Sequence, residues 1–378
     1  MKPNACLNAR VVEHGAGKLR EPARWKRALR RVAQASCLRV QVASCRQFRV
    51  FNQAITRIAF TLVGWLALSV ANAATSTEDF STDPAANGWQ IFGNTNLFQW
   101  DPTNQNLRVT WDSSQPNSYF HRPLGTILTR DDDFHLSFDL TFEAYAGGVR
   151  PGKPYAFPAT IGFLNLDNAT HTNFSRGAGI NATYGPRNLV EFTFFPAFDV
   201  FLPTIAQVIV STNNTWLYNH DNLLEMTPGE TFRVTMNYAT ATHTLTTTVT
   251  NSAGQYGQTQ DIIVSAPSFD FRVATLSISS YSDVRSQDSI LAHGIVDNVT
   301  VVTPPPPVGQ LSGGFLGANW QVQFLSRSNW VYVLERTIDL ATWTEASTAT
   351  PGDGATLILS DANPAAGPAF YRVRANRP

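Results

Sequence analysis

The residue in this 378-residue chain that most suggests chemistry is a carboxylate inside an apolar run. Glu191 lies in Asn188–Thr204, NLVEFTFFPAFDVFLPT, between Val190 and Phe192. A strand carrying it places Glu191, Thr193 and Phe195 on one face, because strand side chains alternate. Glycosidic hydrolysis needs two carboxyl groups facing one cleft, and neither Thr193 nor Phe195 supplies the second. A strand glutamate held by neighbouring hydroxyls or backbone is the plainer reading. The next cluster is Trp216-Leu217-Tyr218-Asn219-His220-Asp221, which reads as a loop. Aromatic rings cover the apolar C–H faces of a sugar while amides and carboxylates meet its hydroxyls. Trp216, Tyr218, Asn219 and Asp221 are therefore the candidate ligand-binding residues, with an aromatic plug over one end of the fold as the alternative. Asp131-Asp132-Asp133 could hold Ca²⁺, but a turn before a strand is the plainer reading. No His-Glu-x-x-His, phosphate-binding glycine loop, dinucleotide fingerprint or Gly-x-Ser-x-Gly elbow occurs.

Charge divides the chain in two. Residues 1–73 carry thirteen Lys and Arg against Glu13 and Glu21, and they hold all three cysteines, Cys6, Cys37 and Cys45. Beyond Ala73 stand 15 basic and 26 acidic residues, a balance near −11, with Lys153 the one lysine. An acidic surface repels phosphate backbones, which argues against nucleic acid as a partner. Ile58 to Val70, IAFTLVGWLALSV, is uncharged, follows Arg57 and precedes Ala71-Asn72-Ala73. These are the parts of a secretory signal peptide, and the run is shorter than the roughly 20 residues that span a bilayer. Residues 1–73 are expected to be removed, and Val50 is a candidate true start for the basic stretch upstream. The mature protein is then secreted, extracellular or at the cell surface, with no membrane span.

Strands must position these residues. Phe134 to Phe142, FHLSFDLTF, alternates strictly. TFRVTMNY (231–238) and HTLTTTVT (243–250) alternate across a short turn, which predicts a hairpin. VATLSIS (273–279) and IVDNVTVV (295–302) add further strands, and no helical period reaches ten residues. The pattern predicts an all-β sandwich or jelly roll over residues 76–303.

The segment around Glu191, with TFRVTMNYATATHTLTTTVT and ILAHGIVDNVTVV, resembles the L-type (legume-type) lectins of the concanavalin A-like lectin/glucanase group. The resemblance implies a concanavalin A-like β-sandwich (jelly roll). It also implies a loop where Ca²⁺ and a transition metal would sit, with Glu191 at the glutamate ligand. Thr193, Ala197 and Leu202 then stand where the family has aspartate, asparagine and aspartate, and Ala206 or Gln207 where it has histidine. Ca²⁺ commonly takes six to eight oxygens, so the resemblance predicts a fold without its metal and without the paired glucanase carboxylates. In many jelly-roll carbohydrate-binding modules the first and last strands share a structural Ca²⁺. By that likeness Glu78-Asp79 and Asp297 are candidates, Asp79 and Asp297 as ligands, with turn and cap roles as the alternative. No other cofactor is implied.

Pro304-Pro305-Pro306-Pro307 marks a stiff linker over 304–310, expected to limit contacts across it and let the two sides fold independently. Residues 311–378 read as a small C-terminal β-sandwich module, resembling immunoglobulin- or fibronectin-like modules of secreted bacterial proteins, with Trp320, Trp330 and Trp343 expected in its core. The function expected is non-catalytic binding of a polysaccharide or cell-surface glycan. A structural or adhesive surface protein without sugar binding, or a polysaccharide-degrading enzyme, remains as the alternative.

Overall fold

The computed structural model describes residues 73–178, 185–254, 256–259 and 261–378. Apart from Ala73, the expected leader and signal peptide lie outside the described residues. Among these residues the large unit has strands β1 (Ala74–Glu78), β2 (Gln90–Phe92), β3 (Phe98–Asp101), β4 (Asn106–Asp112), β5 (Ser118–Leu128), β6 (Phe134–Gly147), β7 (Tyr155–Ala156), β8 (Ala159–Leu164) and β9 (Leu189–Phe195). They continue as β10 (Thr204–Val210), β11 (Trp216–Leu223), β12 (Thr231–Ala239), β13 (Thr244–Asn251), β14 (Tyr256–Gln258), β15 (Ile262–Ile263), β16 (Val273–Ser280) and β17 (Asp288–Thr303).

Two sheets result. One runs β14-β13-β12-β6-β17-β4-β3, with β1 and β7 on β17 and β15 on β13; the other runs β11-β10-β9-β8-β16-β5-β2. First and last strands lie together, Ala74 opposite Thr303 through Glu78 opposite Val299. The expected hairpin is β12–β13, paired from Phe232–Asn251 to Ala239–Thr244.

Alternation sorts the side chains. Phe134, Leu136, Phe138, Leu140 and Phe142 are all at most 4% exposed. Each such burial stabilises by about 1.5–3 kcal/mol. They face β9 of the other sheet, with ring centroids 5.9 Å apart for Phe138–Phe192 and 4.9 Å for Phe142–Phe194. Because Phe192 and Phe194 point inward, Glu191 and Thr193 point to the outer face of the seven-stranded sheet. Gln207, paired with Phe192, points inward instead. Its amide donates to the Leu245 carbonyl at 2.9 Å and accepts from the Thr247 hydroxyl at 2.8 Å, tying the two sheets through a polar bridge.

The C-terminal module contains β18 (Gly309–Leu316), β19 (Asn319–Leu325), β20 (Val331–Thr337), β21 (Thr344–Glu345), β22 (Thr350–Pro351), β23 (Thr356–Asp361) and β24 (Phe370–Asn376). They form two small sheets, β18-β19-β23 and β21-β20-β22 with β24 on β20. A separate core of Val322, Phe324, Trp330, Tyr332, Leu334 and Leu359 lies within it. Trp320 packs against that core partly buried, but Trp343 does not join it. The Arg372 guanidinium covers its ring at 4.1 Å, so a surface cation–π contact replaces the expected core role.

The proline run is not a free spacer. Arg327 donates to the Pro305 carbonyl at 3.0 Å and the Tyr332 hydroxyl donates to that of Pro307 at 2.7 Å. Arg327 and Arg377 both bind Asp132 of the large sandwich, and Ile127 packs on the small core. The expectation of few contacts across the linker is therefore corrected. Two arginines satisfy one buried aspartate, and the chain between is pinned.

Candidate functional site

Cross-strand pairing puts Tyr218, Val208, Glu191, Gly162, Ser277, His121 and Gln90 in one row on the outer face of the seven-stranded sheet. Glu191 is 2% exposed, with Arg176 and Tyr281 against it. Both its oxygens are engaged: Arg176 Nε donates to Oε2 at 3.0 Å, and the Tyr281 hydroxyl donates to Oε1. Arg176, at 6% exposed, is the buried counter-ion that makes this burial tolerable. Burial first, and the Glu191 charge second, push the Tyr281 and Tyr119 phenols well above the ordinary tyrosine range. Both stay protonated, Tyr281 as donor to Glu191 and Tyr119 as donor to the Ala169 carbonyl at 2.9 Å. Arg176 and Tyr281 hold one carboxylate oxygen of Glu191 each, and no second carboxylate stands in its row.

The lectin-type metal loop does not fit an ion. Thr193 donates to the Ala206 carbonyl at 3.2 Å, and Leu202 is 63% exposed at the tip of the β9–β10 connection. A guanidinium already sits against Glu191. Among the described residues no three His, Cys, Asp or Glu side chains converge as a metal site. The tip is apolar instead: Val200 is 80% and Phe201 56% exposed, and the Phe198 and Phe201 rings stack at 4.7 Å.

Trp216 to Asp221 forms edge strand β11, not a loop, pairing with β10 from Val210–Trp216 to Gln207–Asn219. Trp216 and Tyr218 share the outer face with Glu191, with ring centroids 6.4 Å apart and planes at 85°. They make a right-angled aromatic corner, Tyr218 being 47% exposed. One face of the indole is covered by Arg176, its guanidinium carbon 4.5 Å from the ring centre, and the indole N–H donates to Asn214 at 2.8 Å. Asn219 alternates to the opposite side, opposite Gln207, and accepts from Asn222 at 3.3 Å. Of the four residues singled out in sequence, the structure brings Trp216 and Tyr218 together and turns Asn219 away. The Asp221 side chain lies outside the described residues.

β1 lies on β17 with Glu78 opposite Val299, and Asp79 is close enough to Asp297 for its charge to act there. Glu78 is buried and accepts from Phe80 N at 3.0 Å, Asn87 at 3.0 Å and the Trp89 indole at 2.9 Å. Asp79 accepts from the Ser81 amide at 3.0 Å and hydroxyl at 2.7 Å, a turn-capping role. Asp297 accepts from Asn298 N at 2.6 Å. Its cross-strand partner Asp139 is engaged by Arg233 at 3.0 Å and Asn298 at 2.8 Å. Burial, with the charges of Asp139 and Asp79 adding to it, holds the Asp297 carboxyl above the usual range.

Arg176, Tyr281 and Gly162 were not singled out in sequence. Gly162 is a lone glycine in an apolar strand, a pattern that signals close backbone approach. Here a β-carbon would fall 2.3 Å from the Val190 carbonyl and 2.7 Å from Glu191 Cα. Arg176 opens a short 3-10 helix and Tyr281 follows β16, and only the fold brings them to Glu191.

Fold and site together define an all-β sandwich protein with an aromatic corner backed by a buried ionic network. No family model matches the chain, and no curated protein matches it. The solved structures it resembles include legume L-type lectins of concanavalin A-like fold. Peanut lectin with a 9mer peptide aligns at TM-score 0.38 and 16% identity, over 61% of this chain and 99% of the lectin. Lectin II from Ulex europaeus aligns at 0.40 and 12%, over 61% and 98%. Lectin I from Ulex europaeus, in complex with the methyl glycoside of alpha-L-fucose, aligns at 0.38 and 14%, over 61% and 98%.

Proposed function

We propose that this is a secreted, non-catalytic glycan-binding protein whose ligand docks on the Trp216–Tyr218 corner. The observation that carries this reading is the pair of aromatic rings set at 85° on an edge strand. Such a corner offers one ring to the C–H face of a pyranose and a second ring to its edge, and a phenol hydroxyl to its hydroxyls. The engagement of Glu191 by Arg176 and Tyr281 supports the absence of catalysis at this face. The acidic balance beyond Ala73 disfavours nucleic acid, and the Arg57 to Ala73 pattern supports export.

A glycan array with residues 74–378, run with Ca²⁺ and again with chelator, tests the reading. Binding should be equal in both, and Trp216→Ala should weaken it about tenfold or more, from about 1–3 kcal/mol of lost aromatic contact. Absence of any glycan hit, or hits untouched by Trp216→Ala, would remove it. A second reading rests on the exposed apolar tip of Val200, Phe201 and Leu202, which suits an adhesive surface protein without sugar binding.

A further inference from the structure

Arg176 touches both halves of the candidate site. Its Nε lies 3.0 Å from Glu191, and its guanidinium carbon lies over Trp216, 4.5 Å from the ring centre. It also lies 5.9 Å from the centre of the Tyr281 ring, whose hydroxyl closes the network on Glu191. A planar cation with several N–H donors can form an in-plane hydrogen bond to a carboxylate while its face rests on an indole. A lysine ammonium has no such plane, and a divalent ion would need oxygens that this face lacks.

We propose that Arg176 is the positioning residue of the aromatic corner, a fixed cation that transmits the buried Glu191–Tyr281 pair to the ligand face of Trp216. This inference rests on the glycan-binding reading for its functional part only. The chain of reasoning is short. Trp216 is on an edge strand, paired on one side with β10, where side chains are least constrained by the sheet. Its indole is fixed at the nitrogen by Asn214 and over one face by Arg176. Arg176 in turn is held by Glu191, and Glu191 by Tyr281 and by the close strand approach at Gly162. Withdraw the guanidinium and the indole keeps its hydrogen bond to Asn214 and its packing against the core, but loses the contact that covers one face. Any tilt of the ring that this permits must be reversed on binding, which weakens affinity.

The test separates positioning from folding. The double variant Arg176→Gln with Glu191→Gln leaves no buried unpaired charge and preserves amide-to-amide hydrogen bonding. Protein labelled with 5-fluorotryptophan gives one ¹⁹F resonance per tryptophan, and Trp216→Phe assigns the line of Trp216. In the double variant, without any glycan, the Trp216 line should shift or broaden while the other lines stay. Arg176→Lys, which keeps the charge but not the plane, should do the same. Glycan affinity in the double variant should fall about tenfold, with the wild type unaffected by chelator. An unmoved Trp216 line, or a moved line with unchanged glycan affinity, overturns the proposal. A moved line in a protein that binds no glycan at all overturns the glycan reading and leaves the positioning of Trp216 intact.

Discussion

Arg327 of the small module holds Asp132 of the large sandwich at 2.6 Å, across 195 residues of chain. Arg377 binds the second oxygen of the same carboxylate, and both guanidinium groups lie within 6 Å of the Trp330 ring, at 5.7 and 5.8 Å. The Asp132 side chain is 2% exposed, so the interface closes on a desolvated anion between two cations. Asp132→Asn leaves those cations without their anion, and loss of one partner from a buried pair costs about 3–5 kcal/mol. Urea unfolding should show one transition in the wild type and two in the variant, the small module melting first. Two transitions already present in the wild type would show that the modules fold independently after all.

Gly162 sets how closely β8 approaches β9 beside Glu191. Gly162→Ala should cost about 1–3 kcal/mol, because the added methyl meets backbone and cannot be relieved by a rotamer change. Thermal unfolding of the variant measures it. A neutral result would mean that the strands part without strain, and that Glu191 is not held by their spacing.

Gln207 is a buried amide between the sheets, and its partners Leu245 O and Thr247 Oγ1 are buried with it. Gln207→Ala opens a small cavity and strands both, each unsatisfied polar group costing about 1–3 kcal/mol. Gln207→Leu restores the volume but not the hydrogen bonds, and should recover only part of the loss. Equal stability of the Leu variant and the wild type, by urea titration, would show that the bridge contributes shape and not polarity.

These cases mark what the sequence discloses. The alternation of Phe134 to Phe142 declares a buried face directly, since period two in a strand is a local property. The β12–β13 hairpin and the β1–β17 pairing were equally legible, one from its turn and the other from the jelly-roll likeness. Glu191 could be placed on a strand, yet its partners Arg176 and Tyr281 lie 15 and 90 residues away, and nothing local marks them. Trp216 to Asp221 looked like a loop because Asn, His and Asp are poor strand formers. Pairing with the apolar β10 overrides that preference and sets Trp216 and Tyr218 on one face and Asn219 on the other. The proline run looked like a boundary because its composition is stiff; Arg327 and Tyr332, which clamp it, stand at positions no linker rule examines.

The last prediction concerns pH and Ca²⁺ at Asp297. Its carboxyl is raised above the ordinary aspartate value by burial first, with the charges of Asp139 and Asp79 adding to this and the Asn298 amide opposing it. A carboxyl whose folded pKa lies above its unfolded pKa disfavours the charged folded form. Its stability contribution is intact below the unfolded value of about 3.9, and is lost as pH rises through the folded value. At pH 7 the ionised Asp297 is therefore a net destabiliser, discounted for its partial exposure. Asp297→Asn should raise the melting temperature at pH 7 and leave it nearly unchanged at about pH 3. The facing groups settle what Ca²⁺ does there. Arg233 and Asn298 engage Asp139, Ser81 engages Asp79, and the one remaining carboxylate, Asp297, falls short of the six to eight oxygens the ion takes. Millimolar Ca²⁺ should accordingly leave the wild-type melting temperature where it is. A Ca²⁺-dependent rise that disappears in both Asp297→Asn and Asp79→Asn would instead establish a shared ion between the first and last strands, and the pH argument would then have to include its charge.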